Sequence, residues 1–167
     1  MVMNEDEEME RLVVSGVTSD KNQARITLKS VPDQPGVAAK IFSPLAEAGI
    51  VVDMIIQTSP TNECNDITFT VPKTDYERTI AISEEIITRL GADSVKGKAD
   101  IAKISVVGVG MKNHSGVAAK MFATLADENI NIRLISTSEI RISCVVDEKY
   151  AELAVRVLHT AFGLDSE

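Results

Sequence analysis

A chain of 167 residues is long enough for one medium domain or for two of about 80 residues, the latter near the smallest size that buries a useful core unaided. Its formal charge of −8 and pI near 4.8 work against a nucleic-acid or anionic-membrane surface, because no basic patch is visible to overcome the repulsion. Cys64 and Cys144 fit neither a disulfide framework nor the paired spacing of a metal site, and no secretory leader or long uncharged apolar run is visible, so a reducing cytoplasm is the expected compartment.

Residues 1–11, with the acidic run Asn4 to Glu10, lack apolar periodicity and are expected to be disordered. Leu12 to Val17 reads as a short strand and Thr18 to Gln23 as a polar break. Ala24 to Val31 follows as a strand in which Ile26 and Leu28 alternate with Thr27 and Lys29. A sharp turn comes next, with Pro32 and Pro35 fixing φ and Gly36 allowing close approach of backbone or ligand. Asp33 or Gln34 is expected to cap the helix that runs to about Ala48, whose apolar face is Val37, Ile41, Phe42 and Leu45. Ile50 to Gln57 reads as a strand, Ser59 to Asn65 as a loop, and Asp66 to Val71 as a strand with period two. Lys73 to Leu90 carries isoleucines at helical spacing, and Ser94 to Lys98 is a brief strand beyond Gly91.

Strand, helix, strand, strand, helix, strand is the split βαβ, or ferredoxin-like, order, an α+β arrangement with both helices on one face of a four-stranded antiparallel sheet. The order starts again at Ile101, with strand Ile101 to Val109, helix Val117 to Glu128, strands Ile130 to Ser136 and Glu139 to Val146, and a helix through Tyr150, Leu158 and Ala161. The repetition is also literal, since Gly-Val-Ala-Ala-Lys at 36–40 recurs at 116–120. The second copy has no fourth strand of its own, because Gly163 to Glu167 is too short and polar. Leu12 to Val17 has no place in the first copy. An orphan strand and an unpaired edge both leave backbone groups unsatisfied, so the N-terminal strand is expected to complete the second sheet. The expected domains are then 24–98, inserted between 12–17 and 101–162.

Catalytic patterns are missing. The chain shows no phosphate-binding loop with Lys and Ser or Thr, no His-Glu-x-x-His pair, no nucleophile elbow and no Cys-His-carboxylate set. Gly108-Val109-Gly110 faintly resembles a dinucleotide-binding turn, but Asn113 takes the third glycine's place. What remains is a binding site. The turn Asp33-Gln34-Pro35-Gly36-Val37-Ala38 exposes the first N–H groups of a helix, whose positive end attracts a carboxylate, while Asp33 can accept from an ammonium. That pairing suits a free α-amino acid, and Gln57, at the end of the next strand, can hydrogen-bond a ligand lying over the turn. The bland alternative makes Asp33 only a cap and Gln57 only a solvated strand end.

Val31 to Phe42, Val52 to Gln57, Asp66 to Pro72, Asn131-Ile132 and Ile135 to Ser143 together closely resemble the C-terminal regulatory part of bacterial aspartokinase, and Val14 to Val17 with Asp20 to Ala24 resembles the entry to it. The resemblance implies tandem ACT domains, ferredoxin-like units that bind amino acids at interfaces. In this family they feed threonine or lysine back onto the first step of the aspartate pathway. It implies an effector pocket of Asp33, Gln34, Pro35, Gly36, Val37, Ala38 and Gln57, closed by Asn131 and Ile132 from a second unit of a partner subunit in a homodimer. The second copy departs from this pattern, with Asn113-His114-Ser115 for Asp33-Gln34-Pro35 and Thr137 for Gln57. Threonine is expected over lysine, because no further acidic residue stands near the turn to meet a lysine ammonium. The family's Lys-Phe-Gly-Gly kinase motif is absent. No cofactor is therefore expected in this chain, ATP and Mg belonging to a kinase domain or alpha subunit as partner. The rival reading is an assembly module that binds no ligand.

Overall fold

A computed structural model describes residues 14–58, 62–108 and 114–164. Residues 1–13, 59–61, 109–113 and 165–167 lie outside that description, and with them the acidic run, Leu12, Val13 and Asn113, the second copy's counterpart of Asp33. Asn22–Asp100 forms one compact unit, and Met1–Lys21 with Ile101–Glu167 forms another.

Two strands are longer than the sequence suggests. β1 runs Gly16–Pro32 without the expected break, and β4 runs Ser94–Val107 where two strands were expected. The stretch Thr18 to Gln23 is polar but contains neither Gly nor Pro, so nothing in it forces the backbone out of the extended region. Each of these strands contributes its two ends to different units, since the division falls after Lys21 in β1 and after Asp100 in β4.

In the unit 22–100, β1 is followed by α1 (Val37–Glu47), β2 (Ile55–Gln57), β3 (Cys64–Val71), α2 (Tyr76–Leu90, entered by one 3-10 turn) and β4. The strand order β2-β3-β1-β4 is ferredoxin-like. β1 and β3 are antiparallel, with Ala24 opposite Val71 and Leu28 opposite Ile67. β2 is shorter than expected. Before Ile55 the chain is tied to β3 through Asp53 N–H to the Thr70 carbonyl at 3.0 Å, but the Thr70 hydroxyl takes the Met54 N–H at 3.0 Å and breaks the regular ladder. Ala24, Ile26, Leu28 and Val31 from β1 pack with Ile67, Phe69 and Val71 from β3 and with Val37, Ile41, Leu45, Ile86 and Ile87 from the helices. The other face of this sheet is polar, where the hydroxyls of Thr27 and Thr68 meet at 2.9 Å.

Phe69 is fully buried and meets Phe42 edge to face, with ring centroids 5.4 Å apart. Phe69→Ala is expected to cost about 3–5 kcal/mol, against roughly 5–15 kcal/mol for a typical domain, and urea unfolding of the variant checks it. Gly97 on β4 lies beneath the Tyr76 ring, into which any β-carbon at that position would run.

The second unit repeats the plan with its fourth strand supplied from the N-terminal side. α3 (His114–Asp127), β5 (Leu134–Ser138), β6 (Arg141–Asp147) and α4 (Ala151–Ala161) follow β4, and the strand order is β1-β4-β6-β5. The N–H of Ser15 donates to the Val107 carbonyl at 2.7 Å, so the chain's first described residues close this sheet. Its core joins Val14 to Ala102, Ile104, Val106, Met121, Leu125, Ile142 and Leu158. The fold is thus tandem and ferredoxin-like, with the first unit inserted in the second. Among the described residues, no helix is long and apolar enough to cross a membrane.

Candidate functional site

Everything about the Asp33 turn is prepared by the end of β1. An irregularity between Leu28 and Val31 puts Ser30 at a positive φ of 57°. Asp66 on β3 holds it there, accepting from the Ser30 N–H at 3.0 Å and from Lys29 Nζ at 2.8 Å. Those two bonds, with the Lys29 charge, hold the Asp66 carboxyl below its ordinary value. Val31 then re-enters the core and Pro32 pairs with Cys64.

Past Pro32 the chain leaves the sheet. The Asp33 N–H donates to the Glu63 carbonyl at 2.8 Å, the Gln34 N–H to the Pro32 carbonyl at 3.1 Å, and the Val37 N–H to the Gln34 carbonyl at 3.3 Å. Gly36 takes φ 87°, a left-handed conformation that glycine adopts without steric cost, and serves as the N-cap of α1. No side chain caps the helix, which corrects the expectation for Asp33 or Gln34. Two prolines hold the turn so that the helix starts only at Val37, which leaves Asp33 three residues ahead of the N-cap position and away from the N2 and N3 amides that a cap would bond. Among the described residues no side chain caps the first turn of α1, so its positive end is left without a side-chain acceptor there.

Asp33 is held from below instead. Asn65, the second residue of β3 and only 3% exposed, donates from Nδ2 to Asp33 Oδ1 at 3.2 Å. The neighbouring Asn65 Oδ1 is buried with no hydrogen-bond partner among the described residues, a situation that typically costs about 1–3 kcal/mol. Asn65 was absent from the sequence-derived set because it closed a stretch read as a loop. Its signal was available only as a polar residue in phase with Ile67, Phe69 and Val71.

Of the expected site residues, Asp33, Gln34, Pro35, Gly36 and Ala38 are exposed along one side of the turn, and Val37 is buried as the helix's anchor. Gln57 is exposed at the end of β2, opposite Ile67 on β3. Directly paired residues share a face of the sheet, and Asn65 lies two residues from Ile67, so Gln57 and Asn65 project from the same face near the same end. Asn131 is exposed and Ile132 half-buried against the core of the second unit, just ahead of β5. In that unit Thr137 is exposed on β5, and the counterpart of Asp33 falls at 113, outside the described residues. Among the described residues, no group of three or more His, Cys, Asp or Glu side chains is placed to hold a metal ion.

Two models of the ACT domain match the chain, one over residues 25–90 and one over 104–162. The aspartate kinase Ask_LysC of Stutzerimonas stutzeri is 48% identical over 166 residues, covering 99% of this chain and 40% of the relative. The chain thus spans about two fifths of the length of that curated relative. Among solved structures, the aspartokinase alpha and beta subunits share 53% identity with a TM-score of 0.83, and 99% of the matched chain is covered. The ligand-free regulatory subunit of aspartate kinase from Thermus thermophilus shares 44% identity with a TM-score of 0.84, over 90% of this chain and 99% of that one. Nearly full coverage of separate regulatory chains and partial coverage of the longer kinase lead to one conclusion: this chain belongs to the aspartokinase family, as its tandem-ACT regulatory part.

Proposed function

We propose that this regulatory module binds free threonine, with lysine as the alternative effector, and carries feedback inhibition to an aspartokinase catalytic domain or alpha subunit in the cytoplasm. ATP and Mg belong to that catalytic part. The observation that carries the reading is the uncapped N-terminus of α1 beside the Asp33 carboxylate: amide donors for an α-carboxylate and an acceptor for an α-ammonium stand on one turn. Gln57 adds a polar group from β2, while Asn131 and Ile132 are assigned to the pocket of a partner copy in a homodimer. A ligand shared between two copies favours the arrangement in which both halves of its pocket meet, and a catalytic partner senses that shift.

The rival reading, assembly without a ligand, draws on the edge strands. Ile55 on β2 and Ile135 on β5 are 56% and 46% exposed, apolar side chains on edges that a second copy could cover. Thermal unfolding with threonine, lysine, leucine and isoleucine separates the two. At a hundred times the dissociation constant an effector adds about 2.7 kcal/mol to the folded state, a rise of several degrees for a chain of this size. We expect that rise with threonine. A rise with lysine alone changes the effector and keeps the function; no rise with any of the four sinks the sensing reading and leaves assembly.

A further inference from the structure

We propose that Asn65 is the specificity-determining residue of the effector site, its side-chain carbonyl accepting a hydrogen bond from the hydroxyl of a β-hydroxy amino acid. The inference rests on the amino-acid-binding reading above and deepens it. Three observations carry it.

The first is the orientation of the amide. Nδ2 faces the Asp33 carboxylate at 3.2 Å, and the reverse orientation would set two acceptors against each other, so the carboxylate decides which end of the amide is which. The second is what that leaves over. Asn65 Oδ1 is an acceptor with no partner among the described residues, in a side chain that is almost wholly buried. Native structures seldom leave such an atom unsatisfied unless something else meets it. The third is position. Asn65 Nδ2 bonds the Asp33 carboxylate and Oδ1 shares its carbon with Nδ2, so the free acceptor belongs to the side chain that touches the turn, and Asn65 projects from the same face of β3 as Ile67, the residue opposite Gln57.

The division of labour follows from desolvation. An ammonium or carboxylate taken into a buried site loses its hydration at large cost, so the charged groups of the ligand belong with exposed Asp33 and the exposed first turn of α1. A neutral hydroxyl loses far less and can reach a buried neutral acceptor. The flanking residues Ile67 and Val31 are apolar and buried, so an aliphatic side chain fits the surroundings and only a hydroxyl answers the orphan oxygen. A site built this way rejects the isostere that lacks the donor, because the acceptor then stays unpaired with ligand in place.

Titration calorimetry of the 167-residue chain with threonine, valine and lysine tests the idea, repeated on Asn65→Leu, which keeps the volume and removes both polar atoms. The unmodified chain is expected to bind threonine at least about tenfold more tightly than valine. In Asn65→Leu the difference should shrink to within about threefold, while the ligand-free variant melts no lower than the parent, having lost an unsatisfied buried acceptor. If threonine and valine weaken by the same factor in the variant, Asn65 only positions Asp33 and the proposal fails. If the unmodified chain binds valine as tightly as threonine, or takes lysine alone, the proposal fails while amino-acid sensing stands. That comparison needs no variant to fold. If none of the three binds, the sensing function itself is wrong.

Discussion

Asp33→Ala is expected to remove nearly all of the threonine-dependent rise in melting temperature. A charge-assisted hydrogen bond to an ammonium is worth roughly 1.5–3 kcal/mol, or about tenfold to a hundredfold in affinity. At a threonine concentration a hundred times the original dissociation constant, a hundredfold loss cuts the linkage stabilisation from about 2.7 to about 0.4 kcal/mol. The variant also strands the Asn65 Nδ2 donor, so the ligand-free protein is expected to lose about 1–3 kcal/mol by itself. The informative quantity is therefore the difference with and without threonine, measured on each protein by calorimetry. A full-sized shift in the alanine variant would show that Asp33 plays no part in binding and would return the turn to a structural role.

Separating the two units by producing 22–100 and 101–167 as separate fragments is expected to have unequal consequences. The fragment 22–100 contains all four strands and both helices of its unit, so it should show a cooperative urea transition, although at about 80 residues its margin is small. The fragment 101–167 has lost the strand that pairs with β4 through Ser15 and Val107, and it has lost Val14 from its core. An exposed edge of unpaired amides along β4 and a core opened on one side should leave it without a cooperative transition and prone to associate. Far-UV circular dichroism across a urea series checks both. A sharp transition in 101–167 alone would mean that the insertion is a matter of connectivity without energetic weight.

Asp33 and Asn65 show where reading the sequence succeeds and where it stops. Asp33 could be found because its signals are local: two prolines and a glycine within five residues specify a turn, and an apolar stripe beginning at Val37 specifies the helix that follows. Its role as a cap was the natural local inference and it was wrong, because capping depends on where the backbone enters the helix, and Gly36 rather than Asp33 occupies that position. Asn65 could not be found locally. An asparagine ending a polar stretch looks solvated, and only the pairing of β3 with Val31 turns it inward.

The same division holds for the fold. The repeated Gly-Val-Ala-Ala-Lys block, the two strand and helix orders and the surplus N-terminal strand determined a tandem ferredoxin-like architecture with one unit inserted in the other, since periodicity and unsatisfied edges are properties of the chain itself. The tertiary structure alone decided that β1 and β4 are single strands serving both units, that β2 is cut short where the Thr70 hydroxyl takes an amide, and that Asn65 bonds Asp33 through Nδ2 while its buried Oδ1 has no partner among the described residues. Each of these depends on a partner far away in sequence, and a hydrogen bond between distant residues leaves no mark on the local pattern of either.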